Sequence, residues 1–76
     1  MNNDRRKRLE KLKERIEEIK EDLAFILEEE QDSYNNMPEG IQDSERGQKS
    51  QSAIEALESS DTSLDEAIDY INESVE

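Results

Sequence analysis

Asn35-Asn36-Met37-Pro38-Glu39-Gly40 is the only cluster of turn residues in this chain, and it lies near the middle of 76 residues. Proline has no amide hydrogen to give to a helical ladder, and it pushes the residue before it out of helical geometry. Gly40 adds a position free of the restrictions that a β-carbon imposes. Together they predict one chain reversal, with a turn over about residues 35–43. The sequence on either side of the reversal decides what is joined there.

Toward the N-terminus, Leu9, Leu12, Ile16, Ile19, Leu23 and Ile26 are spaced 3, 4, 3, 4 and 3 residues apart. This is the first-and-fourth-position pattern of a heptad, which sets all six on one seam of a helix. The intervening Glu, Lys and Arg are good helix formers. Asn3 or Asp4 supplies a cap. Past Ile26 the strict register lands on polar Glu30 and Ser33, whereas a shift to Leu27 and Tyr34 keeps the stripe apolar, as a stutter does. A first helix over about residues 4–34 follows.

Toward the C-terminus, Asp43 or Ser44 caps a second helix, with Glu45 in the first turn to suit the helix dipole. Ile54, Leu57, Leu64, Ile68, Ile71 and Val75 repeat the same spacing if Asp61 fills one seam position, and Ala53 and Ala67 widen the stripe. Ser59 to Ser63 is the weakest stretch. Ser63 and Glu66 have capping-box spacing, which would start a third helix. Leu57 and Leu64 nevertheless stay seven residues apart across the gap. The favoured reading is one helix over about residues 44–75, with a break near residues 59–63 as the alternative.

The expected fold is a single all-α domain over residues 1–76, an antiparallel two-helix hairpin of coiled-coil type. A reversal near Glu39 sets Leu9 opposite Ile71, Leu12 opposite Ile68, Ile16 opposite Leu64 and Leu23 opposite Leu57. With Ile19, these residues form the expected hairpin core. Charge agrees with this orientation. Residues 1–15 hold seven of the ten bases and carry a net +4, while residues 55–76 hold eight acids and no base. The hairpin lays one end beside the other and neutralises both.

Leu, Ile, Val and Phe number only 15. A single two-helix stripe built from them is a thin core for a small chain. The expected remedy is a homodimer, two hairpins making a four-helix bundle. Phe25 and Tyr70 stand two positions after Leu23 and Ile68, off the main stripe, and are candidates for a second contact surface.

Several function classes drop out. The chain has neither cysteine nor histidine, which removes thiolate metal sites, disulfides and the commonest general base. No apolar run is long enough to span a membrane, and the basic N-terminus lacks the apolar stretch of a signal peptide, so a cytoplasmic location is expected. With two glycines there is no phosphate-binding loop. Glu17, Glu18 and Glu21, with Glu66 and Asp69, imitate the acid spacing of all-α nucleotide pyrophosphohydrolases of the MazG type, which use Mg²⁺. A seam through Ile16 and Ile19 turns those glutamates to solvent, which argues against an enzyme, a metal or a cofactor. Arg5-Arg6-Lys7-Arg8 would suit phosphates, but the chain totals −12 and everything beyond residue 15 repels nucleic acid.

The acids themselves point to a partner. Glu28, Glu29, Glu30, Asp32, Asp43 and Glu45 flank the reversal, where almost no base offsets them. Carboxylates repeated along a helix imitate a phosphate backbone and suit a basic, nucleic-acid-binding surface on another protein. Two alternatives are an acidity that serves solubility alone and a purely structural self-assembling coiled coil.

The stretch Glu28-Glu29-Glu30-Gln31-Asp32-Ser33-Tyr34-Asn35-Asn36-Met37-Pro38-Glu39, followed by Ser44-Glu45-Arg46-Gly47, resembles small acidic helical proteins encoded by phages and mobile elements of Gram-positive bacteria. The resemblance extends to the mixed-charge opening helix and to the closing repeats Ala53-Ile54-Glu55-Ala56-Leu57-Glu58 and Ala67-Ile68-Asp69. That group carries no settled activity, so the resemblance implies a phage-encoded protein in the host cytoplasm and adds some weight to a role as inhibitor of a host protein.

Overall fold

A computed structural model describes residues 1–76 and contains helices only. Helix α1 runs Asn3–Asn35, a one-turn α2 runs Glu39–Gln42, and α3 runs Glu45–Ser74. The radius of gyration is 17.3 Å, against about 11 Å for a compact domain of this length. The molecule is a rod of 58 × 15 × 12 Å. Its width matches two helices side by side at the usual separation of about 8–10 Å.

Each helix end has a local cause. α1 starts at Asn3 and is capped by Asn2 rather than by Asn3 or Asp4; Asn2 Oδ1 accepts from the Arg5 amide at 2.8 Å. At its other end the Asn36 amide donates to the Asp32 carbonyl at 3.0 Å, and Pro38 stops the ladder. Pro38 then serves as the N-cap of α2, where its missing amide hydrogen costs nothing. The turn is thus not an open loop over residues 35–43 but a proline-started helical turn. Gly40 lies inside that turn, and neither glycine has a positive φ, so the conformational freedom expected at Gly40 is unused. Ser44 caps α3 by backbone geometry, while its hydroxyl turns back to the Ile41 carbonyl.

α3 passes through Ser59–Ser63 without a break. Ser60 Oγ donates to the Ala56 carbonyl at 3.0 Å and Thr62 Oγ1 to the Glu58 carbonyl at 3.2 Å. Both hydroxyls bond back along their own helix, as such residues do when they are accommodated mid-helix. The capping spacing of Ser63 and Glu66 is not used to begin a third helix.

Cross-links between α1 and α3 show antiparallel packing. Lys13 Nζ donates to Asn72 Oδ1 at 3.3 Å, Lys20 contacts Asp61 at 3.9 Å and also Asp65, Ser50 Oγ donates to Glu30 at 2.6 Å, and Gln51 Nε2 donates to the Tyr34 hydroxyl at 2.6 Å. The residue numbers of each pair total 80 to 85, so the reversal centres slightly beyond Gly40. The extra residues are taken up by α2.

The seam of α3 follows Gly47, Ser50, Ile54, Leu57, Asp61, Leu64, Ile68, Ile71 and Val75, all buried or half-buried. That of α1 departs from expectation. Leu9, Ile16 and Leu23 are half-buried, but the alternate positions belong to Lys13, Lys20, Leu27 and Tyr34. Leu12, Ile19 and Ile26 are 43%, 54% and 54% exposed. Two residues assigned to the hairpin core, Leu12 and Ile19, therefore lie outside it. The reason is across the seam: Asp61 occupies a seam position, and Asp65 and Asn72 stand at its edge. Turning α1 by one position gives those groups Lys20 and Lys13, and brings Leu27 and Tyr34 inward without any stutter.

No hydrophobic residue is fully buried. The only two buried residues are small, Gly47 and Ser50, next to the turn. At Gly47, α3 abuts the backbone of Gln42 in α2, which leaves no room for a β-carbon.

Candidate interaction surfaces

Six carboxylates were expected to form one acidic surface around the reversal. The structure divides them. Glu30 is half-buried on the seam and accepts the hydrogen bond from buried Ser50. Glu45 lies in the first turn of α3 and pairs with Lys49 at 3.4 Å, an exposed contact on its own helix. Glu28, Glu29, Asp32 and Asp43 are exposed and make no ion pair within the chain. Glu39, exposed at the start of α2, adds a fifth free carboxylate that the sequence reading passed over.

A clasp holds this end together. The Tyr34 carbonyl, among the last of α1, accepts from the Gln42 side chain at 2.9 Å and from the Met37 amide at 3.1 Å. The Tyr34 hydroxyl accepts from Gln51. Carbonyls at a helix C-terminus lack partners within the helix, and Gln42 fills one such vacancy while tying α2 to α1. The free carboxylates are thereby carried on a short, well-connected end of the rod.

At the open end, the expected neutralisation of charge by charge is sparse. Lys20 makes the only ion pairs between the helices, with Asp61 and Asp65. Arg8 pairs with Asp4 at 3.2 Å and Lys13 with Glu10 at 3.4 Å, both within α1. Arg5, Arg6, Lys7, Lys11 and Arg15 make no ion pair. The basic and acidic ends are neighbours, yet most of their charges stay in solvent, where such pairs contribute little. Beside the unpaired bases is an open hollow of about 470 Å³, floored by Leu9 and Leu12 and rimmed by Arg5, Arg8, Lys11 and Arg15.

Lys20 is the one group whose titration clearly departs from its ordinary value. The hydrogen bond that Lys20 donates to the Asp65 carboxylate raises its pKa, desolvation opposes this, and the charges of Asp61, Asp65 and Glu17 add to the rise. A raised lysine pKa stabilises the fold fully below the ordinary value of 10.5, and that contribution is lost as pH climbs through the folded-state value. The stability difference between the native chain and a Lys20→Gln variant is therefore expected to be constant through neutral pH and to shrink only in strong alkali. Urea titrations at several pH values check this; a difference that vanished on acidification to near neutral pH would contradict it.

Phe25 and Tyr70 are 66% and 70% exposed. The antiparallel register sets them about 12 residues apart along the rod, roughly 18 Å at the helical rise, so they do not form one aromatic patch. Glu17, Glu18, Glu21, Glu66 and Asp69 are all exposed, and no three acidic side chains converge on a point that would hold a metal ion. No helix is long and apolar enough to cross a membrane.

No family model, curated protein or solved structure matches this chain.

Proposed function

We propose that this chain is a non-enzymatic, acidic protein–protein interaction module that acts as a dimer of hairpins in the cytoplasm. Its turn end offers carboxylates to a basic, nucleic-acid-binding surface of a partner protein. The resemblance to acidic helical proteins of phages and mobile elements suggests that the partner is a host protein and that binding inhibits it. The observation that carries the reading is the group of exposed carboxylates at the turn end of the rod, Glu28, Glu29, Asp32, Glu39 and Asp43, none of them in an ion pair, which outnumber the two bases at that end, Arg46 and Lys49. Fixed charges on a rigid support act as phosphates do, with the roles of protein and nucleic acid exchanged.

Two tests bear on this. The partner retained by the immobilised chain is expected to be displaced by excess duplex DNA and by moderate salt. Reversal of Glu28, Asp32 and Asp43 to lysine is expected to weaken its capture by about 100-fold, through lost attraction and new repulsion. Partners indifferent to salt, to DNA and to those substitutions would reject mimicry. In that case the exposed Leu12, Ile19 and Ile26 favour the second reading, a structural protein that only assembles with itself.

A further inference from the structure

Leu12, Ile19 and Ile26 recur every seven residues along α1 and are all exposed, so one straight apolar line is left uncovered. Every polar link from Lys13, Lys20 and Tyr34 to α3 lies on the opposite edge of the seam. The two edges of the hairpin thus differ, one sealed by side-chain bonds and the other apolar. The residues that border the apolar line on its outer side also recur every seven: Arg8, Arg15, Asp22 and Glu29. All four are exposed, and Arg15, Asp22 and Glu29 make no ion pair in the hairpin.

The order of these charges is two positive, then two negative, with Ile19 midway. Such a line is complementary to itself when reversed. We propose that a second copy of this chain docks antiparallel along this edge of α1, about a two-fold axis passing beside Ile19. Leu12 then packs against Ile26 of the second copy, and Ile19 meets its own counterpart. Arg15 stands beside Asp22 of the second copy and Arg8 beside its Glu29, each pair occurring twice. The hollow between Arg8, Leu12 and Arg15 receives Ile26 and Glu29 of the second copy. A parallel arrangement would set Arg on Arg and Glu on Glu, which like-charge repulsion disfavours. Two-fold symmetry with a self-complementary patch is the usual form of a dimer.

This inference rests on the dimer reading above and adds its surface and symmetry. It also draws Glu29 away from the acidic end, leaving Glu28, Asp32, Glu39 and Asp43 for a partner.

The chain has no cysteine, so single introduced thiols report proximity directly. Under mild oxidation Ile19→Cys is expected to cross-link rapidly into a dimer, and Phe25→Cys is not. Leu12→Cys mixed with Ile26→Cys is expected to give the mixed dimer faster than either alone. Arg15→Glu is expected to weaken dimerisation by about tenfold or more, and Arg15→Glu with Asp22→Arg to restore it, since the charges are only exchanged. Sedimentation over a concentration series reads both, with helicity checked by circular dichroism. A dimer that ignores Arg15→Glu and fails to cross-link at Ile19 would overturn this surface while sparing the dimer. A chain that stays at 8.9 kDa at every concentration would overturn both.

Discussion

Gly47→Ala is expected to loosen the turn end of the hairpin and to cost about 2 kcal/mol of stability, within the range for overpacked sites. A β-carbon at Gly47 would overlap the Gln42 carbonyl oxygen and lie 2.6 Å from the Gln42 α-carbon. Alanine improves helix propensity by about 1 kcal/mol over glycine, so the two effects oppose one another. The overlap wins because the obstructing atoms are backbone and cannot rotate aside. Relief would require α2 to move away from α3, which breaks the contacts of Gln42 with Tyr34. Gly40→Ala is the matched comparison: its β-carbon would meet nothing within 4 Å. There alanine is expected to add about 0.5–1 kcal/mol, by propensity and by a less flexible unfolded chain. The same substitution thus has opposite signs seven residues apart. Urea unfolding followed by circular dichroism measures both. Stabilisation by both would mean that α2 and α3 do not approach so closely.

Leu57→Asp is expected to unfold the hairpin outright. No apolar side chain is fully buried, so cohesion is spread over a line of half-buried residues and none is in surplus. At Leu57 the change removes one apolar contact and sets a carboxylate against the seam, together about 3 kcal/mol. A chain this small has little more than that to lose. Asp61 occupies the next seam position without harm because Lys20 stands opposite. Lys20 also holds Asp65, so it cannot compensate a new acid as well. Leu12→Asp, on the uncovered edge, provides the contrast. Measured in solutions too dilute for self-association, its effect is expected to stay within about 0.5 kcal/mol, as at ordinary surface sites. Equal losses at Leu57 and Leu12 would mean that the seam has been wrongly drawn.

These contrasts separate what periodicity can tell from what it cannot. From Ile54 onward the 3-and-4 spacing of α3 named its seam residue by residue, even with Asp61 counted as a filled position, because that helix has only one apolar face; Gly47 and Ser50, the buried start of the seam, are not apolar and gave no such signal. α1 has a wider one. Leu9, Ile16 and Leu23 share the seam with either Leu12, Ile19 and Ile26 or with Lys13, Lys20, Leu27 and Tyr34. Hydrophobicity alone chose the first set. The structure chose the second, because the acids and amides of α3 lie where the lysines reach them. Similarly, Glu30 read as one more acid in a run, and nothing local to it revealed that Ser50 would be its partner twenty residues away.

From its own residues, the sequence determined two long helices, a single reversal at Pro38 and the opposed charges of the two ends. These depend on backbone chemistry and on spacing within each segment, which are local. Only the tertiary structure decided how far each helix is rotated toward the other, that a β-carbon cannot fit at Gly47, and which apolar residues remain in water. Those outcomes depend on what stands across a gap of a few ångströms, and no position in a chain carries that information about itself.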